Sequence, residues 1–286
     1  MKDSYILVTG ASGNVGFEVC KQLVQKRVKV RACTRNPMTL QSRKRISGLE
    51  WTEFSYERRD TFNNALSDVE KLFLVAPPAN SFSDRIVIPF IQEAITRGIN
   101  HIIFLSAMGV ENSEEAPLRK IEVYIENSGV DYTFLRANWF MQNFNTMFLE
   151  SIRSGLLHLP VGDGQTSFVD VRDIANVTMH SFLDEGHRKK AYTLTGPEAL
   201  AYPDAIDRIS KEIGKEIHFD AVDPTIARRE MLQNGLPDSS VNFLLQLYET
   251  VRINLTAPVS EDIRSVLGTT ASSFEQYVKD YRTSWL

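Results

Sequence analysis

The segment VTGASGNVG, residues 8–16, constrains the fold of this 286-residue chain more than any other feature. Glycines at positions 10, 13 and 16 directly follow the apolar run Tyr5–Val8. Gly10 permits a tight turn, Gly13 lets a pyrophosphate approach the backbone, and Gly16 lets a helix pack closely on a strand. Amide groups at the start of that helix attract phosphate oxygens. The segment predicts a dinucleotide-binding turn; the alternative is a glycine-rich turn without a ligand.

Short apolar runs alternate with helical patterns over the first half of the chain. Runs typical of buried strands cover residues 5–8, 28–33, 71–75, 101–105 and 132–135. Amphipathic stretches typical of helices lie between them, at residues 15–26, 86–97 and 118–127. Such alternation predicts an α/β fold with a Rossmann-type, doubly wound parallel sheet and helices on both faces. Ligands of this fold bind at the carboxyl ends of the strands.

The pattern loosens after Trp139, which indicates a second domain. We expect a dinucleotide-binding Rossmann domain over residues 1–155 and a smaller, mostly helical substrate-side lobe over residues 156–286. A strand predicted at Ser167–Val171, followed by a helix to about residue 183, is expected to return to the first domain. The predicted boundary is therefore interleaved.

Composition excludes several classes of function. The net charge is −4, and the basic clusters Arg43–Arg45 and Arg188–Lys190 are short and separate, so we expect no nucleic-acid partner. Cys20 and Cys33 are too few for a disulfide framework and lack metal-ligand spacing, which fits a reducing cytoplasm. The sequence contains no apolar run of about 18 residues, so no membrane span is expected. A cytoplasmic protein follows, with a homodimer as its most common assembly.

The end of the second predicted strand indicates which dinucleotide is bound. This segment, VKVRACTRNP, offers Arg35 and contains no Asp or Glu. A carboxylate at this place binds the ribose of NAD(H), whereas a guanidinium can hold a 2′-phosphate with two parallel hydrogen bonds. We therefore predict NADP(H) in preference to NAD(H), with Arg35 as the main contact. The alternative is that Arg35 is a solvated loop residue.

Several motifs together resemble one family. In chain order they read TGASGNVG, RACTRNP, ALSDVEKLFLVAPP, HIIFLSAMGV, SGVDYTFLRANWFMQNF and FVDVRDIA. This set resembles NmrA-like proteins, which are atypical members of the short-chain dehydrogenase/reductase superfamily. The resemblance implies either an NAD(P)H-dependent reductase of quinones, triphenylmethane dyes or iminium-type intermediates, or a regulator that binds the dinucleotide without turning it over.

The same resemblance implies a set of contact residues. For the cofactor these are Gly10, Ser12, Gly13, Asn14 and Val15 at the phosphates, Arg35 at the adenosine phosphate, Ser55 and Tyr56 near the adenine, Ala76, Pro77 and Pro78 beside the nicotinamide-side ribose, and Ser106 and Ala107 near the nicotinamide. For the loop between cofactor and substrate they are Asn138, Phe140, Met141 and Asn143. Many relatives carry Asp at position 55, so the adenine contact is the one in which this chain departs from the family.

The Tyr-x-x-x-Lys pair of conventional short-chain dehydrogenases is missing near the expected helix. Leu118 stands where relatives often carry Lys or His, with Glu114 four residues earlier, and Lys120 is an alternative ribose contact. Reducing an ordinary ketone needs a proton donor, whereas an electron-poor acceptor needs mainly close positioning against the nicotinamide.

We therefore predict an NADPH-dependent reductase of a small, conjugated, electron-poor acceptor, which Ser106 and Asn138 orient. The principal alternative is a non-catalytic NADP(H)-binding redox sensor of the NmrA type. A sugar-nucleotide epimerase is disfavoured, because such enzymes normally use the missing pair.

The segment NWFMQNFNTMF, residues 138–148, allows two interpretations. Its aromatic and methionine side chains are either a hydrophobic core or the lining of a pocket for a flat aromatic acceptor. Tyr248 and Phe243 are candidates to close such a pocket.

Overall fold

The computed structural model of the protein describes residues 4–38 and 46–286, so the basic cluster Arg43–Arg45 lies outside the described residues. The strands are β1 (Tyr5–Val8), β2 (Val30–Thr34), β3 (Leu49–Glu53), β4 (Val69–Val75), β5 (His101–Ala107), β6 (Asp131–Ala137), β7 (Leu156–Leu159), β8 (Gln165–Thr166), β9 (Lys190–Leu194), β10 (Leu200–Ala201) and β11 (His218–Ala221). The α-helices are α1 (Asn14–Gln25), α2 (Phe62–Leu66), α3 (Ser83–Thr96), α4 (Pro117–Asn127), α5 (Leu149–Ser154), α6 (Val171–Leu183), α7 (Tyr202–Ile213), α8 (Pro224–Gln233), α9 (Asp238–Arg252), α10 (Asp262–Leu267) and α11 (Phe274–Tyr281).

The described chain divides into two compact units. The first contains the described residues up to Pro78 together with Phe82–Arg136 and Val171–Thr193. The second contains residues 79–81, 137–170 and 194–286. The chain thus passes from the first unit to the second after Arg136, whereas the sequence predicted this boundary at residue 155. Residues 171–193, which include a helix and most of a strand, belong to the first unit again.

Within the described residues, seven strands form one sheet in the order β3-β2-β1-β4-β5-β6-β9. The pairs β1–β2, β1–β4, β2–β3 and β4–β5 are all parallel. Parallel strands that are covered on both faces read as continuous apolar runs, and all five residues of β2 are buried. The predicted Rossmann-type α/β fold is confirmed.

The sequence pattern did not predict β3, whose residues LEWTE alternate between apolar and polar. This strand lies at the edge of the sheet, and Trp51 is the one buried residue among its five. Glu50 there pairs with the buried Arg31 of β2, with Oε1 2.8 Å from Nε. An edge strand that carries charges lacks the apolar run on which the prediction depended.

The core of the first unit joins one face of the sheet to helices α3 and α4. Leu7, Leu72 and Phe104 alternate onto this face, and they cluster with Phe90 of α3 and Ile121 of α4. Helices α1 and α6 pack on each other, and the Gln22 amide of α1 donates to the Arg172 carbonyl of α6 over 3.1 Å.

The predicted strand at Ser167–Val171 is wrong. Residues 167–170 belong to the second unit, and Val171 begins α6. The Ser167 N–H donates to the Thr256 carbonyl over 2.9 Å, whereas Val169 forms a single parallel bridge with Phe140. Successive residues of this segment bond to partners in separate parts of the chain, so the segment forms no continuous ladder with one neighbouring strand. Its apolar residues are therefore buried by different segments.

The second unit has an aromatic core. Phe144 meets Phe168 and Phe274 edge to face, with ring centroids 5.2 Å apart in both pairs. The Trp285 indole N–H donates to the Phe144 carbonyl over 2.8 Å. Phe148 packs on the same cluster. Of the two interpretations of residues 138–148, the core is therefore correct for Phe144 and Phe148.

Among residues 4–38 and 46–286, no helix is both long and apolar enough to cross a membrane. The same residues contain no group of three or more His, Cys, Asp or Glu side chains able to hold a metal ion.

Candidate functional site

The glycine turn between β1 and α1 depends on a backbone conformation that side chains disfavour. Gly10 has φ +61°, in the left-handed region, and its carbonyl accepts the Gly13 N–H over 3.0 Å. A Cβ at Gly10 would lie 3.0 Å from the Cβ of Val75. Any other residue at position 10 would therefore be both strained and crowded.

Gly16 allows the start of α1 to lie against this turn. A Cβ at Gly16 would be 2.4 Å from the Gly10 carbonyl oxygen and 3.0 Å from the Cα of Ala11. The sequence predicted a close contact of helix with strand; the structure places the contact at the backbone of the turn. Helix α1 is thereby held with its amino end directly behind the turn.

The outer side of the turn fits an anionic group. Its exposed residues are Gly10, Ser12, Gly13 and Asn14, whereas Val15 is buried. A Cβ at Gly13 would stay at the ordinary distance of 3.4 Å from its nearest neighbour, the Gly10 oxygen, so packing within the protein does not require this glycine. The first turn of α1 contains no acidic residue. Bare backbone at a helix start without a nearby carboxylate is suited to phosphate oxygens.

Arg35 lies exposed immediately after the last residue of β2. The Asn36 N–H donates to the Thr34 hydroxyl over 3.4 Å, which turns the chain at this point. Because β1 and β2 are adjacent and parallel, Arg35 and the glycine turn lie at the same edge of the sheet. A guanidinium at this place, with no acid between Thr34 and Met38, fits a 2′-phosphate.

The residues predicted near the adenine follow β3. Ser55 is half-buried, and its N–H donates to the Thr61 hydroxyl over 3.2 Å. The Tyr56 hydroxyl donates to the Val75 carbonyl over 2.8 Å and lies 3.0 Å from Oγ1 of Thr9. Burial raises the pKa of the Tyr56 phenol far above its ordinary value. The Tyr56 hydroxyl is thus uncharged, and it donates its hydrogen bond to a group of the protein itself.

The next two strand ends carry the residues predicted on the nicotinamide side. Ala76 and Pro77, which follow β4, are half-buried, and Pro78 is exposed. Val75 pairs with Leu105 in the sheet, so Ala76 and Ser106 are the next residues on neighbouring strands.

Ser106 is 4% exposed, and its Oγ has no hydrogen-bond partner among the residues that the structure describes. Ala107 beside it is half-buried. A buried hydroxyl without a partner costs free energy and indicates a place where a ligand or water bonds.

Helix α4 offers no acid–base pair in the place of Tyr-x-x-x-Lys. Leu118 packs against the core of the first unit. Glu114 is exposed and lies 3.7 Å from Nε of Arg119. Lys120, the alternative ribose contact, forms an ion pair with Glu115 over 2.6 Å.

Asn138 is buried in the second unit and uses its amide within the protein. Its Nδ2 donates to the Ser167 hydroxyl and to the Thr256 carbonyl, each over 2.8 Å. Its Oδ1 accepts the Trp139 N–H over 2.9 Å. Both amide hydrogens bond within the protein, so Asn138 orders these segments; its role in orienting an acceptor stays a prediction.

The other predicted substrate residues also lie in the second unit. Phe140 and Asn143 are half-buried, whereas Met141 is buried and its N–H donates to the Val169 carbonyl over 2.9 Å. Trp139 stacks on Tyr248 with ring centroids 5.6 Å apart and an interplanar angle of 16°. Burial raises the pKa of Tyr248 to about 12, so this phenol is neutral at physiological pH.

Sequence reasoning missed Thr9, the residue that links the ends of β1 and β4. Thr9 is fully buried, and its Oγ1 accepts the Val75 N–H over 2.7 Å. The available signal was a single hydroxyl residue between an apolar strand and a glycine turn.

Known proteins similar to this chain include reductases and a developmental protein. Prestalk A differentiation protein A of Dictyostelium discoideum is 27% identical over 278 residues, 96% of this chain and 91% of that protein. An NAD(P)H azoreductase of Xenophilus azovorans is 27% identical over 98% of this chain and 99% of its own length.

Among solved structures, the triphenylmethane reductase of Citrobacter sp., complexed with NADP(H), superposes with a TM-score of 0.79. The two sequences are 21% identical, and the match covers 97% of this chain and 99% of the reductase. At this identity the likeness establishes the fold. The sequence model of the NmrA-like family matches residues 2–283, so the resemblance inferred from the motifs is confirmed and the chain belongs to the NmrA-like family.

Proposed function

We propose that this protein is an NADPH-dependent reductase of a small, conjugated, electron-poor acceptor such as a quinone, a dye or an iminium ion. The observation that carries the proposal is the turn of Gly10–Gly16, whose exposed residues Gly10, Ser12, Gly13 and Asn14 precede a helix with no acidic residue in its first turn. The activities for which the similar azoreductase and triphenylmethane reductase are named support it.

Residues of the first unit would hold the cofactor. The exposed backbone of Gly10–Asn14 would bind the diphosphate, and Arg35 would bind the 2′-phosphate. When bound, NADPH supplies the hydride at its nicotinamide ring. The Ser106 hydroxyl is available to donate a hydrogen bond to the carboxamide of that ring or to an acceptor oxygen.

The absence of a Tyr-x-x-x-Lys pair at the start of α4 favours an acceptor that needs no proton donor from this helix. A quinone that receives a hydride becomes a hydroquinone monoanion, which takes one proton from solvent, and an iminium ion that receives a hydride needs no proton. Neither acceptor requires the Tyr-x-x-x-Lys pair, at whose positions Glu114 and Leu118 stand. An ordinary ketone would develop alkoxide charge and would require it.

A second candidate function is a non-catalytic NADP(H) sensor of the NmrA type. Two observations favour it: Leu118, at the position where relatives often carry Lys or His, packs against the core of the first unit, and the Asn138 amide bonds within the protein. The likeness to a differentiation protein is compatible with such a role.

Calorimetry with NADPH, followed by NADPH oxidation with a panel of quinones, azo dyes and iminium salts, separates the two functions. The reductase predicts binding and turnover with at least one acceptor class, reduced at least about tenfold in Ser106→Ala, as expected for loss of one hydrogen bond. Binding without turnover on any acceptor would establish the sensor. Absence of binding would refute both.

A further inference from the structure

Two hydroxyl groups connect three segments at the carboxyl edge of the sheet. Thr9 follows β1 and is fully buried. Its hydroxyl donates to the Phe73 carbonyl over 3.3 Å and accepts the Val75 N–H over 2.7 Å. The Tyr56 hydroxyl lies 3.0 Å from the same oxygen. The Thr9 hydroxyl therefore donates to one backbone group, accepts from another and lies within hydrogen-bond distance of the Tyr56 hydroxyl.

The hydroxyl of Thr9 replaces a ladder bond that the glycine turn removes. The Thr9 N–H still donates to the Phe73 carbonyl over 3.0 Å, as in a parallel pair. In a continuing ladder the Val75 N–H would donate to the Thr9 carbonyl. The chain instead turns away at Gly10, with φ +61°, and Oγ1 takes the amide hydrogen of Val75.

Tyr56 reaches this point from the loop after β3, which is three positions away from β4 in the sheet order. Its ring lies edge-on to Phe54 and Phe90, with centroids 4.8 Å and 5.6 Å away. These contacts fix the ring, and the hydroxyl then donates to the Val75 carbonyl over 2.8 Å.

We infer that Thr9 and Tyr56 form a hydroxyl clip that sets the spacing of three cofactor-binding segments before the cofactor arrives. The segments are the glycine turn, the loop at Ser55, and the loop at Ala76 that continues from Val75. The inference rests on the proposed NADPH binding. It makes Thr9 and Tyr56 positioning residues whose hydroxyls act on the cofactor site through these segments.

A clip of this kind has a signature in ligand binding. A ligand that spans all three segments gains from their fixed spacing, because it does not have to order them itself. A fragment that contacts one segment gains nothing. Loss of a hydroxyl should therefore weaken NADPH while leaving adenosine 2′-phosphate, which would reach only Arg35 and the Ser55 loop, nearly unaffected.

The test measures both dissociation constants by calorimetry for Tyr56→Phe, Thr9→Val and Thr9→Ser, with urea unfolding of each variant. Tyr56→Phe and Thr9→Val should raise the Kd of NADPH about tenfold and that of adenosine 2′-phosphate less than about twofold, as expected for one lost hydrogen bond. Thr9→Ser keeps the hydroxyl and should recover most of the NADPH affinity. Tyr132→Phe and Thr52→Val are matched controls elsewhere in the first unit.

Parallel weakening of both ligands, or no change in either, would overturn the clip even if the variants were less stable. Should Thr9→Val fail to fold, Tyr56→Phe decides alone, because it keeps the ring and removes one oxygen. A wild-type protein that binds adenosine 2′-phosphate but not NADPH would refute the proposed function and with it the clip. If the wild type binds NADPH but the variants keep its ratio of the Kd of NADPH to the Kd of adenosine 2′-phosphate, the clip is refuted and the proposed function is not.

Discussion

Arg136 holds Glu122 with two parallel hydrogen bonds, from Nε to Oε1 over 3.1 Å and from Nη2 to Oε2 over 2.9 Å. Glu122 lies on α4 and is fully buried, and Arg136 lies on β6. Arg119 adds a third contact, with Nη1 3.1 Å from Oε2. Nη1 of Arg136 is also 3.5 Å from Glu111, in the turn that follows β5. This ion-pair network joins α4 to the strands whose ends carry the candidate site.

Glu122→Gln should lower the free energy of unfolding by about 3 kcal/mol, because it leaves two largely buried guanidinium groups short of a negative partner. Urea unfolding at neutral pH measures the change. Glu126→Gln is the control, since Glu126 is one-third exposed and forms an ion pair with Arg119 over 3.4 Å. That variant should lose less than about 1 kcal/mol. Equal losses in the two variants would contradict the special role of the buried carboxylate.

Two alanine substitutions in the glycine turn should have opposite signatures. Gly16→Ala should destabilise the fold by more than about 2 kcal/mol, because its Cβ would collide with the Gly10 carbonyl oxygen at 2.4 Å. Gly13→Ala should keep the stability within about 0.5 kcal/mol yet weaken NADPH binding, because its methyl group would occupy the outer side of the turn. Thermal unfolding and calorimetry test the pair. Normal NADPH affinity in Gly13→Ala would argue against diphosphate binding at this turn.

Arg35→Glu should raise the Kd of NADPH by at least about a hundredfold, because a charge-assisted hydrogen-bonded pair is lost and a repulsion takes its place. The Kd of NADH, which lacks the 2′-phosphate, should change little. Arg229→Glu makes the same charge change at an exposed site of the second unit and should leave both constants unaltered. Comparable losses for both coenzymes in Arg35→Glu would show that Arg35 does not select the phosphate.

His101 should make the protein less stable in weak acid. Burial, followed by the nearby positive charges of Lys71 and Arg188, lowers the pKa of His101 to about 4 from an ordinary 6.5. The neutral ring donates from Nε2 to the Thr133 hydroxyl over 3.0 Å, since that hydroxyl itself donates to the His187 carbonyl. Between these two pKa values the unfolded chain binds the extra proton, so stability is present above pH 6.5 and is lost as the pH falls towards 4.

The loss from this one group should reach about 3 kcal/mol, the free energy that corresponds to the difference in pKa. Urea unfolding across this pH range compares the wild type with His101→Gln, which can still donate to Thr133 but cannot be protonated. The variant should have the flatter profile. His158→Gln, at an exposed histidine, should follow the wild type. A wild-type slope retained in His101→Gln would assign the acid sensitivity to other groups.

The parts of the site predicted from the sequence are those whose local pattern suffices to specify the structure. The run Tyr5–Val8 with glycines after it specifies a strand, a turn and a helix within twenty residues, and β1 has the bounds that the run indicated. The position of Arg35 was predictable for the same reason, because Arg35 is the first residue after an apolar strand, whereas its contact with a 2′-phosphate stays a prediction.

The parts that could not be predicted depend on distant partners. The clip of Thr9 and Tyr56 joins residues 47 positions apart, and Asn138 bonds to Thr256, 118 positions away. Nothing near Asn138 in the sequence distinguishes a ligand-facing amide from one consumed by the fold. The predicted strand at Ser167–Val171 was wrong for the same reason. The residues of this segment are buried by several separate parts of the chain, and they do not pair along one neighbouring strand.

The crowding around Gly16 has a practical consequence for redesign of coenzyme preference. Positions 10 and 16 admit no methyl group without displacing backbone or a strand residue, so they should be held constant in any library. Arg35 is exposed at the same edge and, in the proposed complex, would contact the 2′-phosphate by which the two coenzymes differ. Efforts to exchange one nicotinamide coenzyme for the other should therefore diversify position 35 and leave the glycine framework untouched.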